Sequence, residues 1–490
     1  MIQLVVWVAG ALMLWAPGAA LARFFRRESD LFVQLAMEMA IGLAFWPLLF
    51  LWTSGWSTLG VRVVFAIVLV AAIHRYPKTS PRFAMTYVAL FAAVIVSRVL
   101  QARGLAFPAW VDSVHHATIV RLLIENGRVP ATFDPFIPHA PFFYHWGYHA
   151  LVAFVSWLTG LTRAAQLPRV MIAFGQLLNA LTFVSVYAAG RVLFRSRNAG
   201  LAAATIATLV SMLPAYYVSW GRYTQLSGLL LLPPLLIATW RARDVVLIAL
   251  LAAGLFLIHV RVALFAAALA LIIFAIRREL KPLVAAAIAM LLSAPWLIRL
   301  AVNARIPSNR IVTESSLVIS LFLPIALIAG GLLARMVPKR AMALVLGCIA
   351  IYGVISMRSV VNPATILAGA DDAAAMRWIR EHTPPNAKFL VSATRWIDGS
   401  YIGADGGYWI PIATGRATLV PPALYAWTLP ASDVARINRA IELWSGFVLP
   451  DFPATYIYAN RARAPIIAEI PSARLVYARG NVTIFAITPD

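Results

Sequence analysis

Apolar runs of roughly 16–25 residues recur from the N-terminus to about Met357. Each matches the hydrocarbon core of a bilayer, about 30 Å thick. The runs do not alternate apolar and polar residues, which excludes a transmembrane β-barrel. They also exclude an ordinary soluble chain: 62% of the 490 residues are hydrophobic and 12% are charged, against about 25% charged in soluble domains. The sequence therefore predicts an α-helical polytopic membrane protein.

The charged residues order the spans. The net charge is +22, and the Lys and Arg residues fall in short clusters between apolar runs rather than on one face. That pattern argues for anchoring beside anionic lipid and against nucleic-acid binding. Clusters occur at Arg23–Arg27, Arg75–Arg82, Arg191–Arg197, Arg241–Arg243, Arg277–Lys281 and Arg335–Arg340. Spans near 3–22, 31–53, 59–73, 83–100, 168–190, 199–219, 225–240, 244–258, 262–276, 282–300, 316–334 and 341–357 put every cluster on the cytoplasmic side. The expectation is about twelve transmembrane helices over residues 1–357, with residues 101–167 and 358–490 outside. Residues 1–22 end like a signal peptide, but the positive cluster follows the apolar run instead of preceding it. A retained first helix is expected. The single cysteine, Cys348, permits no intrachain disulfide. The apolar run 146–161 is expected to lie as a short amphipathic helix on the outer membrane surface, since a further span there would put Arg191–Arg197 outside.

One polar stretch interrupts this apolar chain. Residues 110–149 hold His115, His116, His139, His145 and His149, five of the eight histidines, with Asp112, Glu125 and Asp134. Titratable groups gathered in one long loop mark a candidate site. Asp112 or Ser113 is suited to cap a helix there, with Gly127 at its C′ position. Asp112, His115, His116 and Ile119 share one face of that helix. His145 and His149, four residues apart, have the spacing of shared metal ligation. Other outer loops carry Trp220, Arg222, Tyr223 and Gln225, then His259 and Arg261, then Arg299, Arg305 and Arg310. Arginines on the outer face oppose the orientation bias, which suggests an anionic ligand such as phosphate. Glu38, inside a span near the cytoplasmic end, is expected to make a structural hydrogen bond to a neighbouring helix.

Residues 358–490 differ in composition. DDAAAMRWIREHT has the pattern of an amphipathic helix closed by Pro384 and Pro385. AKFLVSAT, ATYIYAN, ARLVYARG and NVTIFAI have the pattern of strands. A soluble extracytoplasmic α/β domain is expected, packed over the outer loop, with no nucleotide-binding motif.

The acidic outer loop, its Gly-x-x-Pro exit and its Pro- and Tyr-rich continuation resemble the GT-C superfamily of integral-membrane glycosyltransferases. So do RVMIAFGQLLNALTFVSVYAAGRVLFRSRNAGLAAA and the tail from DDAAAMRWIREHTPPNAKFLV. WGRYTQLSGLLLLP and DGGYWIPIATGR are similar to a prokaryotic, uncharacterised branch. The resemblance implies transfer of a sugar from a polyprenyl-phosphate or polyprenyl-diphosphate donor to a lipid, protein or polysaccharide acceptor. The location implied is the outer face of the prokaryotic cytoplasmic membrane. It makes Asp112 the catalytic base, or a ligand with His116 of a divalent cation (Mg, Mn or Zn). The paired acidic residues of many members are absent: Asp112 is followed by Ser113, Val114, His115 and His116. No WWDYG motif occurs, so the oligosaccharyltransferase subgroup is not expected.

On this reading Asp112 deprotonates the acceptor, and Arg222 and Arg261 hold the donor phosphate. His115, His116, His145 and His149 support the site or bind sugar. Tyr144, Trp146, Trp220 and Tyr223 are candidates to stack on it, and Asp405, Tyr408 and Trp409 to close over the acceptor. The competing expectations are a polytopic transporter or glycolipid flippase, which would carry polar midplane helices, and a non-catalytic scaffold subunit.

Overall fold

Every stretch expected to span is helical over most of its length. The computed structural model describes residues 1–73, 75–242, 244–303 and 314–488. The first four helices are α1 (Ile2–Leu21), α2 (Leu31–Trp52), α3 (Thr58–Ala71) and α4 (Pro81–Ala102). The polar loop contributes α5 (Val111–Asn126) and α6 (Gly147–Thr159). Then come α7 (Leu167–Leu193), α8 (Arg197–Thr205), the short α9 (Met212–Ala215) and α10 (Tyr217–Trp220), and α11 (Tyr223–Arg241). Next are α12 (Val245–Ile258), α13 (Val260–Arg277), α14 (Lys281–Leu292), α15 (Ala294–Asn303), α16 (Glu314–Val318), α17 (Phe322–Met336) and α18 (Met342–Met357).

Among the described residues 6 helices are long and apolar enough to cross a membrane, or up to 7 if one bent pair counts as a span. The bent pair is α14 and α15, which meet at 69°. Pro295 in the first turn of α15 goes with the break, because it has no N–H to donate to the preceding turn. α3, α12 and α18 are apolar but shorter. The outer faces of α13, α14, α17 and α18 expose large apolar side chains, among them Leu271, Met290, Ile328 and Ile351. A bilayer accepts such a surface and water does not.

Three features correct the sequence expectations. The stretch 199–219 is not one continuous helix. α8 runs into a π-helical turn at Ile206–Val210, the chain extends at Ser211, and α9 and α10 follow. The helix 146–161 does not lie on a membrane surface. Ala150 through Val155 of α6 are each 0% exposed, and the helix is enclosed by α2, α3, α5 and α12. At 13 residues it is about 20 Å long, too short to span. Finally, α5 is capped by neither Asp112 nor Ser113. Its N-cap is Trp110, and Asp112 sits in the first turn. Its C-terminus does end as expected, with Gly127 at φ 60° and its N–H on the Leu123 carbonyl.

Close backbone contacts hold the bundle together. A Cβ on Gly18 would fall 2.0 Å from the Glu38 carbonyl oxygen, and one on Gly42 would fall 1.7 Å from that of Leu14. Glycine at both crossing points lets α1 and α2 approach to backbone contact. Glu38, buried in α2, accepts from Gln34 Nε2 at 2.8 Å, Trp15 Nε1 at 3.0 Å and the Tyr76 hydroxyl at 3.0 Å. This is the expected structural role. At the same end of α2, Asp30 caps the helix through the Phe32 N–H and takes Arg197 Nε at 2.8 Å.

The C-terminal segment carries α19 (Ala370–His382), β1 (Lys388–Leu390), β2 (Ala393–Arg395), β3 (Tyr401–Gly403), α20 (Ile410–Thr414) and β4 (Ala417–Thr418). It continues with α21 (Ala431–Ser445), β5 (Tyr456–Asn460), α22 (Ala464–Ala468), β6 (Ala473–Arg479) and β7 (Val482–Ile487). Five strands form a mixed sheet in the order β4-β1-β5-β7-β6, and β2 pairs with β3 separately. β4, β1 and β5 run parallel, whereas β7 is antiparallel to both neighbours.

This segment sits on α5. Arg121 Nη1 donates to the Pro411 carbonyl at 2.7 Å and that of Ile412 at 3.0 Å, and the Thr118 hydroxyl donates to Pro422 at 3.0 Å. The Phe107 and Trp409 rings meet at 5.1 Å. The Gly-rich run DGGYWIPIATGR includes a 3-10 turn at Gly406–Trp409 followed by α20.

Candidate functional site

Three distant parts of the sequence converge at the start of α5. Asp112 projects from its first turn. Arg222 follows the α10–α11 turn and places Nε 3.4 Å from Asp112 Oδ2. Arg261 comes from the first turn of α13 and interacts electrostatically with both Asp112 and Arg222. Its Nη1 also donates to Ser316 Oγ at 3.2 Å.

Gly221 makes the Asp112–Arg222 approach possible. Its φ is 62°, in the left-handed region that glycine tolerates best. A Cβ there would fall 1.9 Å from Ser113 Oγ and 2.8 Å from the Ala109 carbonyl oxygen. The chain therefore turns against the α5 N-terminus with no side chain in between, and Arg222 emerges beside Asp112. Ser113 is fixed in turn by donating to Ala109 at 2.6 Å. The guanidinium of Arg222 rests over the Trp220 ring, 5.3 Å from its centroid.

Burial raises the Asp112 carboxyl above the ordinary carboxylate range, while Arg222 and then Arg261 pull it back. The side chain keeps 31% of its exposure, so it stays reachable. A carboxylate that is partly desolvated and steadied by two cations suits a base that must be ionised yet basic.

Tyr144 is the hub of the histidines. Its ring lies 4.5 Å from His115, 4.1 Å from His145, 6.1 Å from His116 and 6.0 Å from His149. Burial raises its hydroxyl, and Asp112 raises it further, which places the phenol within the electrostatic reach of the carboxylate. His116 Nδ1 and His149 Nε2 share a hydrogen bond of 3.0 Å. His145 faces His259 at 4.7 Å, and His259 caps α13 by accepting from the Val262 N–H at 3.3 Å. The i, i+4 pairing of His145 with His149 is thus replaced by a His116–His149 pair across two helices. Burial drives His115 down to about 3 and holds His116, His145 and His149 well below their usual range, so these rings are neutral at pH 7.

Not every sequence candidate joins this group. Tyr223 turns inward and stacks 6.2 Å from Tyr148. Trp146 is fully buried among Phe50 and Trp296. Tyr408 is 2% exposed but within the electrostatic reach of Asp112. Asp405 caps the 3-10 turn, accepting from the Gly407 N–H at 2.9 Å. Its neighbours are Ser392, Asp372 and Arg463 of the C-terminal segment rather than the Asp112 group. Arg299 donates to the Pro130 carbonyl and covers the Phe142 ring at 5.8 Å, tying the polar loop to α15. Arg305 and Arg310 lie outside the described residues. The sequence reading passed over Thr224, whose hydroxyl bonds Tyr144. Its one sequence signal is a Thr–Gln pair just after Arg222, at the head of an apolar helix.

Among the described residues no three His, Cys, Asp or Glu side chains converge to hold a metal ion. Asp112 faces two guanidinium groups and His116 is engaged by His149, a donor set that does not fit a divalent cation.

The chain shares its fold with a protein of solved structure. ArnT from Cupriavidus metallidurans, solved bound to undecaprenyl phosphate, superposes with a TM-score of 0.50 and 12% sequence identity, covering 84% of this chain and 100% of that one. At this identity the likeness is one of fold, and at that level it agrees with the GT-C resemblance. No protein-family model and no curated protein sequence matches the chain.

Proposed function

We propose that this chain is an integral-membrane glycosyltransferase. It moves a sugar from a polyprenyl-phosphate-linked donor to an acceptor on the extracytoplasmic face. The observation that carries this reading is the convergence of one reachable carboxylate, Asp112, with two guanidinium groups, Arg222 and Arg261. The reaction needs a base for the acceptor hydroxyl and cations for the departing phosphate, and these residues supply both. The ArnT-like fold, with its bound undecaprenyl phosphate, agrees with a lipid phosphate as the ligand.

In this account the donor's sugar lies over Tyr144, with its phosphate against Arg222 and Arg261. Asp112 takes the proton from the acceptor oxygen as that oxygen bonds to the anomeric carbon. The carbon–oxygen bond to phosphate breaks on the opposite side, and the phosphate leaves with the electron pair. The two guanidinium groups are in place before that charge develops, so little reorganisation is needed. No step passes through a metal, and chelation is expected to leave transfer in place.

The full topology of about twelve spans, a boundary near residue 357 and an outward-facing C-terminal domain belong to the same proposal. They put the Asp112 group at the outer membrane surface, where a lipid phosphate resides. A transporter is the weaker reading, because the titratable cluster is gathered at the helix ends rather than along the bundle axis.

The test is binding. The full chain in lipid nanodiscs should bind polyprenyl phosphate with an affinity that falls at least about tenfold in both Arg222→Ala and Arg261→Ala. Unchanged affinity in both variants would overturn the phosphate assignment.

A further inference from the structure

The histidines around Tyr144 are not explained by the transfer step alone. His115 is 6% exposed, yet neither ring nitrogen has a hydrogen-bond partner among the described residues, and His145 Nε2 is also buried without one there. Buried polar atoms in native proteins are nearly always paired. Leaving one unmade costs stability, because the group has lost water and gained nothing in its place. Three such nitrogens flank a single ring, Tyr144, and His115 lies one turn after Asp112 on the same helix face. The arrangement suits hydrogen bonds to sugar hydroxyls, which both donate and accept.

The charge balance narrows the sugar. The charged groups that reach Tyr144 are Asp112, Arg261 and Arg222, and Arg222 and Arg261 also act on His116 and His145 respectively. Among the described residues Asp112 is the one carboxylate acting on any of Tyr144, His116 and His145. Two guanidinium cations, one carboxylate and one phosphodiester anion sum to zero. An amino sugar would add an ammonium beside two arginines, with no further carboxylate among the described residues acting there to meet it. A uronate would add an anion beside histidines that burial keeps neutral. Either charge would be desolvated without a partner.

Building on the lipid-linked donor reading, we propose that His115 and His145, set around Tyr144, form the glycosyl subsite of the Asp112 centre. This subsite takes an uncharged, polyhydroxylated sugar in preference to an amino sugar or a uronate.

The experiment is a competition assay on the full chain in lipid nanodiscs at pH 7, with a labelled short-chain polyprenyl phosphate as probe. Competitors are the same lipid phosphate carrying a hexose, an aminohexose or a hexuronic acid. The hexosyl lipid is expected to displace the probe about tenfold better than either charged one. His115→Leu and His145→Leu should shrink that ratio below about threefold while the probe's own affinity moves less than about twofold. Equal or better competition by a charged sugar in the wild-type chain would overturn the subsite. So would an undiminished ratio in both variants. Failure of the probe itself to bind would overturn the donor reading on which the subsite rests.

Discussion

Arg222 Nε lies 3.4 Å from Asp112 Oδ2, across 110 positions of sequence. The two side chains keep 36% and 31% of their exposure, and ion pairs as open as this add roughly 0–1 kcal/mol to stability. The pair therefore has little structural value, and its effect falls on the charge state of Asp112. A carboxylate that is free to exchange its guanidinium partner for substrate is what the proposed base requires.

That relationship has a pH signature. Asp112 must be ionised to act, so kcat/KM should rise as pH rises through its pKa. Burial raises that pKa and Arg222 lowers it. Arg222→Gln should move the acid limb of the profile to higher pH. Arg222→Lys keeps the positive charge and should leave the limb near its original place, while losing donor affinity with the planar fork. An acid limb that stays put in Arg222→Gln would separate Asp112 from the rate.

Gly221→Ala should damage both fold and site. The new methyl group would overlap Ser113 Oγ at a φ of 62°. A loss of about 1–3 kcal/mol is expected, with transfer reduced further because Arg222 moves relative to Asp112. Thermal unfolding in detergent and the transfer rate, measured on one preparation, would show both effects. A variant with unchanged Tm would mean that the turn is looser than described.

Asp405 offers a separate test, of the C-terminal segment. Burial pushes its carboxyl up to about 6. Its folded-state value exceeds the unfolded one, so its contribution to stability is fully present below the unfolded pKa, near 3.9, and is lost as pH rises through about 6. Asp405→Asn keeps an oxygen for the Gly407 N–H and removes the buried charge. It should raise Tm at pH 7.5, by the equivalent of about 1–2 kcal/mol, and change it little at pH 4. Melting curves at the two pH values decide it, and equal effects at both would show that the carboxylate is not strained by burial.

Much of this was legible in the sequence, and the exceptions share a cause. Apolar length announces helices such as α2 and α7 wherever they lie, and Gly127 announces the end of α5. Lipid and protein interior select the same apolar residues, so α6 reads as a surface helix although protein encloses it. The break after Val210 is marked in part by Pro214, which goes with an extended Leu213, whereas the π turn and the extended Ser211 carry no such signature. Asp112, Arg222 and Arg261 each stand out as polar residues between separate apolar runs, and only the fold brings them together. His149 meets His116 rather than His145 because α5 and α6 cross, a long-range fact that spacing within one helix does not contain. Asp405 looks like part of a lid over the site and is instead the cap of a turn.

The central claim is that Asp112 is the base of a sugar transfer. The most direct measurement follows labelled sugar from a polyprenyl-phosphate donor into the acceptors of the chain's own native membranes. Wild-type protein is compared with Asp112→Asn at equal amounts, with polyprenyl-phosphate binding as the control for folding. The account predicts that the variant binds the lipid phosphate but transfers at least about 100-fold more slowly. Transfer by Asp112→Asn at the wild-type rate would contradict it.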